Sequence, residues 1–540
     1  MRHRIIAAGL AVCMAAATPA PAYAFLDSLK KTLSGDQSEE RDSTRLDELV
    51  SSGASRSSCG GDGHVSRLNA AVEQGLGIVD NKALSSYLQG VLAKLVAVSP
   101  YPGCKVTVYV TPHDAAQAVA LADGGILVAL GFLRNLKNED EVAALLGHEV
   151  SHILLDHQSS DSFVETQDSF LKGLEAANAS GGMLLGFVDP NIKQGVDAAV
   201  SVGGAVYNIS ETMIAPAWTE EQEDEADLLG TDLLVAAGYN PRAMASVMDV
   251  IKAQEANAAK VEAQRDEIYK KRVQGSMISA LTTTNVNDTV SIVGSVASLT
   301  SALVSGGDKR THRPAEERKA SVNAYIKKFY NKDRRRPFGT ATWAMLQSKG
   351  DSGRMFSHYY KATVARRAVF TGGDLKTALK DANASVAGAF SDDAYPRLAQ
   401  SEVRLKEGDR KAALASLKKV MQGGHAPWQI YRSYADLQLA SGNVPAAAQA
   451  VETADQRFGQ PLGIAPFAIK VYRAANDQDR VQYYLERCNK NGSREHVKIC
   501  RHAAGLEPDS QNSGSGGSGG VSSGIHSAPI HEPSLLSITA

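Results

Sequence analysis

The C-terminal half of this 540-residue chain repeats turn residues at intervals of 34 positions. Three copies of the turn share one register, at Gly408-Asp409, Gly442-Asn443 and Asn476-Asp477. A further copy, at Gly373-Asp374, is offset from this register by one residue. Apolar residues keep the same register on both sides of each turn, at Val403, Leu437, Val471, Leu417, Val451 and Leu485. Because the apolar spacing between the turns is helical, each unit predicts two helices joined at a Gly/Asp turn.

Small residues occupy the tight positions of these predicted helix pairs. They are Ala412, Ala413, Ala446 and Ala447. A 34-residue unit with alanine at such positions is typical of tetratricopeptide repeats, whose paired helices approach closely and stack into a curved solenoid. We therefore predict a tetratricopeptide-type α-solenoid over 355–500, with an irregular helical bundle as the alternative.

Length and composition allow further domains before these repeats. Hydrophobic residues make up 43% of the chain and charged residues 21%, which suffices for a full core and two domains or more. The formal net charge is −2, and removal of Arg2 and Arg4 with a leader makes it −4. Since no basic stripe accompanies this charge, we expect no nucleic-acid partner.

The first 24 residues have the three parts of a secretory signal. A positive start precedes an apolar run, and the small-residue sequence Ala22-Tyr23-Ala24 ends it. We predict a signal peptide at 1–24, cleavage before Phe25 and a mature protein in the periplasm. A lipoprotein is the alternative, although Cys13 lies in the middle of the apolar run.

The mature chain would keep an even number of cysteines in an oxidising compartment. They are Cys59, Cys104, Cys488 and Cys500. This fits two disulfides, and proximity in sequence favours Cys488–Cys500 and hence Cys59–Cys104. Spacing leaves all three pairings open, and free buried thiols are the alternative.

No segment after the leader is long and apolar enough to span a bilayer. The nearest, 289–307, is rich in Ser, Thr and Gly, and its apolar residues recur at helical spacing, at Ile292, Val296, Leu299 and Leu303. That pattern predicts an amphipathic helix, which packs against the rest of the protein or makes peripheral contact with a membrane or a partner.

Composition divides the mature chain further. Residues 25–62 are polar and rich in Ser and Gly, and 505–540 predict a disordered Gly/Ser-rich tail. Between the polar segment and the repeats, 63–330 combine helical periodicity with predicted strands at 105–110 and 125–130. We therefore predict an α+β fold, mostly helical, in which a domain with a small sheet precedes the solenoid.

The segment 138-NEDEVAALLGHEVSHILLDH-157 holds three of the 13 histidines of the chain. Asn138 and Glu141 form a predicted capping box ahead of an apolar stripe, so the segment predicts an amphipathic helix. On that helix His148 and His152 project two imidazoles toward one point, which is the bite that a zinc ion needs. Glu149 is turned by about 100° from His148 and lies beside the metal, where its carboxylate can accept a proton from water.

A second predicted helix supplies carboxylates. Its start and stop signals are a capping box at Thr219 and Gln222 and a helix end at Gly238 and Pro241. Glu223 and Asp227 share one face, on which Glu223 can reach the metal and Asp227 can hold a ligand histidine. Ala226 and Gly230 would let this helix approach another closely. A solvated acidic face is the alternative.

These motifs together resemble the gluzincin metalloprotease family that includes HtpX and the CAAX prenyl proteases. The motifs follow the family's order, with GG at 124–125, then GILVALGFL, HEVSHILLDH, EDEAD at 223–227, AGYNP, and Thr311-His312 with Pro314 and Arg318. Within that family, the chain is similar to the soluble periplasmic BepA-like members, which carry C-terminal tetratricopeptide repeats. The resemblance implies a zincin-like metalloprotease domain over 63–330 that binds one Zn²⁺ per chain.

The resemblance also implies a role for each residue of the site. His148, His152 and Glu223 would be the zinc ligands, Glu149 the general base, and Asp227 the partner of a ligand histidine.

Three further features carry expectations from the family. His157 matches a common family histidine, for which we expect a structural role. His312 would gate the metal or contact the substrate, with a core or surface histidine as the alternative. The strand residues Ile126, Leu127, Val128 and Ala129 would form the edge to which an extended substrate adds.

Two classes of function fit these expectations. The first is an exported zinc endopeptidase that hydrolyses misfolded or stalled envelope proteins, with repeats that present clients and contact envelope assembly machinery. The second is a chaperone or assembly scaffold with a latent zinc site. The presence of Glu149 favours the first, because a scaffold has no need of a base beside the metal.

Overall fold

A computed structural model of the protein describes residues 42–52, 77–121, 124–157, 218–254, 256–257, 259–260, 263, 314–492 and 494–506. Several sequence-based predictions lie outside these residues. They concern the signal peptide at 1–24, Cys59, the helix at 289–307, His312 and almost all of the tail at 505–540.

Helices dominate the described part of the chain, and one small sheet accompanies them. The N-terminal part contains α1 (Arg45–Ser51), α2 (Lys82–Ala97), β1 (Thr107–Thr111), β2 (Ala118–Ala120), β3 (Gly125–Ala129), α3 (Leu130–Asn135), α4 (Glu139–Leu155), α5 (Glu220–Ala236), α6 (242–254) and α7 (Ala315–Phe329). The C-terminal part contains α8 (Ala341–Ser348), α9 (Gly350–Thr371), α10 (Leu375–Ser385), α11 (Ala394–Lys406), α12 (Arg410–Gln422), α13 (Trp428–Leu439), α14 (Val444–Arg457), α15 (Ala465–Ala474), α16 (Gln478–Asn491) and α17 (Arg494–Ala503). The predicted mostly helical α+β character is therefore confirmed.

The sheet has three strands in the order β1-β3-β2. Strand β3 pairs in parallel with β1, with Thr107 opposite Gly125, and antiparallel with β2, with Ala118 opposite Val128. Both strands predicted from the sequence are present. Strand β2 was not predicted, because three residues are too few to show an alternating pattern.

The predicted substrate edge at Ile126, Leu127, Val128 and Ala129 is wrong. These residues form most of β3, which lies in the middle of the sheet and has all five of its residues buried. The physical reason is visible in the composition, since an unbroken apolar run is typical of a strand that is covered on both faces. Among the described strands, β1 and β2 form the edges of the sheet.

The two helices that carry the predicted site begin at well-defined caps. Asn138 Oδ1 accepts a hydrogen bond from Glu141 N at 2.9 Å, while the Glu141 carboxylate accepts one from Lys137 N at 2.6 Å. The predicted box at α4 is thus only half formed. At α5 the capping box of Thr219 and Gln222 is complete, and both helices begin where the sequence predicted.

Helices α4 and α5 pack against each other through glycines. A Cβ built at Gly230 would lie 3.1 Å from both the Gly147 carbonyl carbon and His148 N, and 2.7 Å from Met244 Cε. A methyl group at this position would require the Met244 side chain to move and the α4 backbone to shift by a few tenths of an ångström. Gly230 therefore permits the close approach that the sequence predicted for α5.

The C-terminal helices form consecutive pairs, in which each helix packs against the next from α9 to α17. The predicted turn register is confirmed, because Gly408, Gly442 and Asn476 adopt φ of 87°, 75° and 55°. Glycine adopts this left-handed region without strain, and asparagine tolerates it better than most residues. Among the described residues, no helix combines the length and apolar content needed to cross a membrane.

One hydrophobic core continues from the sheet region into the paired helices. At the junction, Trp343 of α8 donates a hydrogen bond from Nε1 to Leu136 O at 2.9 Å. The Asp140 carboxylate accepts hydrogen bonds from Asn240 N at 2.7 Å and Gly339 N at 2.6 Å. The start of α4 is thereby fixed to the segment that leads into the paired helices.

The disulfide predicted between Cys488 and Cys500 is present and joins α16 to α17. Cys104 is half-buried. Its predicted partner Cys59 lies outside the described residues.

The short helix α1 docks on α5 and α7 through a buried carboxylate. Asp232 Oδ2 accepts a hydrogen bond from Leu46 N at 2.8 Å, and Tyr325 and Tyr330 donate their hydroxyls to the same carboxylate. Tyr325 also accepts a hydrogen bond from Arg45 N at 2.8 Å. Burial outweighs these donors and raises the pKa of Asp232 to about 7.

We predict that Gly230→Ala lowers the free energy of unfolding by about 1–3 kcal/mol, because the added methyl group pushes α5 away from α4. Gly90→Ala on α2 is the matched control, since its Cβ would meet nothing within 4 Å. The control should be neutral or stabilising by up to about 1 kcal/mol. Urea unfolding measures both, and equal effects of the two substitutions would contradict the packing described here.

We predict that Asp232 makes folding stability fall as the pH rises from about 4 to about 7. Its folded-state pKa is raised, so the folded protein keeps a proton that the unfolded chain has already lost. The loss should be of the order of 2 kcal/mol between pH 5 and pH 7. Thermal melts across this range should show a shallower slope for Asp232→Asn, and parallel curves for the two proteins would refute the assignment.

Candidate metal centre

The two histidines of HEVSH face one point, one helical turn apart on α4. Their Nε2 atoms are 3.2 Å from each other. His152 is fully buried, whereas the His148 side chain keeps 12% of its surface exposed. The structure therefore brings these two predicted site residues together, with an opening on the His148 side.

Glu223 approaches the same point from α5. Its Oε2 lies 3.7 Å from His148 Nε2, and its Oε1 lies 3.9 Å from His152 Nε2. Ligand atoms about 2.0–2.1 Å from a tetrahedral zinc ion would be about 3.3 Å apart. The three side chains, whose ligand atoms all lie within 4.8 Å of one another, therefore fit a zinc ion with small adjustments.

Asp227 holds the ring of His148 from the side opposite to this point. Its Oδ1 lies 2.9 Å from His148 Nδ1. A neutral imidazole that donates from Nδ1 has its lone pair on Nε2, the atom that faces His152 and Glu223. Asp227 thus lies where the sequence placed the partner of a ligand histidine.

Arg318 joins both acidic residues of the site. It donates from Nε to Asp227 Oδ2 at 2.8 Å and from Nη2 to Asp227 Oδ1 at 2.7 Å. Its Nη1 lies 2.7 Å from Glu223 Oε2. From the sequence, Arg318 was named only as part of a family motif and was assigned no role. Its spacing with Val322 and Ile326 on the apolar face of α7 was a usable signal of burial.

These contacts set the protonation preferences of the site. Burial opposes charge on Asp227, but Arg318 outweighs it and lowers the Asp227 pKa. Burial likewise disfavours the charged form of His148, yet the hydrogen bond and charge of Asp227 raise the His148 pKa. Burial lowers the pKa of His152 well below its usual value, and the nearby His148 and His157 add to this effect. His152 is therefore a neutral ring, as a metal ligand must be.

The formal charges around the site favour a divalent cation. Glu149 is buried, with 5% of its surface exposed, and follows His148 on α4. Glu149, Glu223 and Asp227 with Arg318 carry a formal charge of −2. Because buried charge is costly unless it is compensated, a bound divalent cation would stabilise this cluster.

Two residues with aromatic rings contact His152. Trp218 was not assigned to the site from the sequence, and His157 was expected to have only a structural role. Trp218 stacks on the His152 ring with centroids 4.2 Å apart. His157 places its Nδ1 2.9 Å from His152 Nδ1. A signal for Trp218 existed, since it immediately precedes the cap residue Thr219, where a hydrophobic residue often packs against the helix.

A histidine pair and a glutamate on two packed helices, with a glutamate after the first histidine, define the gluzincin class of metallopeptidases. The comparison with known proteins agrees, because residues 82–325 match the profile of peptidase family M48. This region of the chain is a peptidase family M48 domain.

Several curated proteins resemble parts of the chain. A beta-barrel assembly-enhancing protease from Yersinia pestis is 24% identical over 200 residues, which cover 37% of this chain and 38% of the relative. The mitochondrial metalloendopeptidase OMA1 of Arabidopsis thaliana is 28% identical over 28% of this chain and 27% of its own. The metalloprotease LoiP of Escherichia coli is 28% identical over 138 residues, which cover 24% of this chain and 45% of the relative. The similarity thus spans a little over a third of the length of the first of these relatives.

We predict that Arg318→Met lowers the free energy of unfolding of the metal-free protein by about 3–5 kcal/mol, because two buried carboxylates lose their shared cation. Arg354→Met is the matched control, since Arg354 pairs with Asp351 on an exposed helix face. We expect the control to cost less than about 1 kcal/mol. Urea denaturation compares the two, and similar losses would show that Arg318 does not support the acidic pair.

Proposed function

We propose that this protein is an exported zinc-dependent endopeptidase that hydrolyses peptide bonds of misfolded or misassembled cell-envelope proteins. The observation that carries the proposal is the convergence of His148 Nε2, His152 Nε2 and a Glu223 carboxylate oxygen. The buried Glu149 follows His148 directly on α4. Two imidazoles and one carboxylate are a donor set found in catalytic zinc sites, which keep a further position open for water or substrate.

Each residue of the cluster has a distinct task in this proposal. His148, His152 and Glu223 hold the ion, Asp227 fixes the His148 ring, and Arg318 fixes the orientation of both carboxylates. Zinc, when bound, supplies Lewis-acid activation of a water molecule and of the substrate carbonyl.

Glu149 moves the proton. Its carboxylate accepts a proton from the attacking water and returns it to the amine that leaves when the peptide bond breaks. Its burial beside the site keeps this exchange away from bulk water. A carboxylate at this position has no role in a site that only binds metal, which favours a peptidase over a scaffold.

The paired helices support the choice of substrate class. A curved solenoid of tetratricopeptide type would offer a surface for unfolded or stalled polypeptides and for envelope assembly machinery. The names of the relatives point the same way, because several are called beta-barrel assembly-enhancing proteases. A periplasmic location rests on the predicted signal peptide at 1–24.

We predict that the mature protein cleaves casein or an unfolded outer-membrane protein, and that Glu149→Gln lowers the rate by a factor of about 10² or more. A chelator should abolish cleavage by the wild type. Zinc content measured by elemental analysis should survive Glu149→Gln and fall in Glu223→Ala. The exposed Glu221 provides the matched control, and Glu221→Gln should keep both activity and zinc.

Two results would contradict the proposal in different ways. Stoichiometric zinc with no cleavage by the wild type against either substrate would favour the scaffold, in which the zinc site is latent. Absence of zinc from the folded wild type would remove the metal centre altogether. Retention of zinc in Glu223→Ala would show that Glu223 is not a ligand.

A further inference from the structure

A chain of polar contacts leads from His152 to the N-terminal helix α1. His157 Nε2 lies 3.2 Å from Glu225 Oε2, and Arg45 Nη2 lies 2.8 Å from Glu225 Oε1. Since His157 also contacts His152 at 2.9 Å, Arg45, Glu225 and His157 form a continuous series that ends on a proposed zinc ligand. Arg45 lies outside the matched region 82–325.

We infer that Arg45, Glu225 and His157 are positioning residues that fix the ring of His152 for metal binding, so that α1 forms part of the support of the metal centre. This inference rests on the proposed zinc site. It adds a segment outside the matched region to the machinery of that site.

The direction of the hydrogen bonds is consistent along the whole series. If His152 offers the Nε2 lone pair to a metal, its neutral ring carries the hydrogen on Nδ1 and donates it to His157 Nδ1. His157 then carries its own hydrogen on Nε2 and donates it to Glu225. The Glu225 carboxylate accepts hydrogen bonds from both His157 and Arg45. Every contact in the series therefore joins one donor to one acceptor.

The two proposed ligand histidines are thus held by different contacts. His148 lies directly beside a carboxylate, because an Asp227 oxygen is 2.9 Å from its Nδ1, and this proximity is the common arrangement for a ligand histidine. The Nδ1 edge of His152 is connected to the Glu225 carboxylate through the intervening ring of His157, which is itself buried. Without an acceptor such as Glu225, His157 loses its preference for the hydrogen on Nε2, and its Nδ1 is no longer reserved as an acceptor for His152.

The docking of α1 makes Arg45 a defined partner of Glu225. An isolated ion pair at this level of exposure, 20% for Arg45 and 33% for Glu225, would contribute little. Here, however, the backbone at Arg45 and Leu46 is fixed by Tyr325 and the buried Asp232. Much of the conformational entropy that Arg45 loses when it pairs with Glu225 is therefore already lost when α1 docks.

The test measures the zinc affinity of the metal-free mature protein by competition with a chromophoric chelator, and the absorption spectrum of the cobalt-loaded protein. His157→Phe should weaken zinc binding by about 10- to 100-fold and change the cobalt spectrum, because the ring of His152 is no longer oriented. Glu225→Leu and Arg45→Met should weaken binding in the same direction, by about tenfold or less.

Two variants separate positioning from general destabilisation. Glu225→Gln keeps an oxygen that accepts from His157, so its zinc affinity should return close to that of the wild type while Glu225→Leu stays weak. Glu221→Gln changes an exposed carboxylate on the same helix and should have no effect. If His157→Phe fails to fold, the Glu225 pair decides the question, because that side chain is one-third exposed.

The outcomes distinguish this inference from the proposed function. If the wild type and Glu221→Gln bind zinc, but His157→Phe or Glu225→Leu binds it equally well, the positioning role is overturned and the metal centre stands. If Glu225→Gln is as weak as Glu225→Leu, the acceptor role of Glu225 is overturned. If the folded wild type binds no zinc at all, both the metal centre and its support are overturned.

Discussion

The site depends on the distance between α4 and α5. His148 and His152 lie on one helix and Glu223 on the other, so the three donors share a centre only if the two backbones come close. Gly230 makes this possible, because its missing side chain lets α5 approach the backbone of α4 at Gly147. The N-caps at Asn138 and Thr219 define where the two helices begin, and the donors lie in the helices that follow. Local helix signals and one tight contact therefore contribute to the convergence of these three side chains.

Close packing of these helices also buries several negatively charged side chains. Glu149, Glu223 and Asp227 are all buried, and buried carboxylates are costly unless cations compensate them. Arg318 supplies one positive charge from α7 and contacts the carboxylates of Glu223 and Asp227 on α5. The remaining formal charge of −2 matches a divalent cation. Arg318 thus compensates part of the charge of this cluster. In the proposed zinc enzyme the bound ion would compensate the rest, and metal binding would then stabilise the folded state.

The sequence was informative where the determinants are local. The caps of α4 and α5, the shared face of His148 and His152, the 34-residue turn register and the Cys488–Cys500 disulfide were all predicted. The sheet order was not, because strand pairing joins distant residues and β2 is too short to be periodic. The contacts of Arg318, Trp218 and Arg45 were also missed. They come from positions whose neighbours are set by tertiary packing. The sequence offered a hint for two of them, because Arg318 is a polar residue on the apolar face of α7 and Trp218 directly precedes the cap residue Thr219.

The residues around His152 show why such a site needs more than its motif. Trp218 covers one face of the ring, and His157 contacts its Nδ1 edge. Glu225 lies on the same helix as the proposed ligand Glu223, so α5 contributes both to the proposed metal site and to the contacts that connect His157 with Arg45. Asp232, about two turns further along α5, accepts a hydrogen bond from Leu46 N of α1. Glu223 and Asp227 of α5 thus line the proposed metal site, while Glu225 and Asp232 of the same helix contact His157 and α1. A change in the docking of α1 would reach His152 through these contacts without touching any residue of the HEVSH motif.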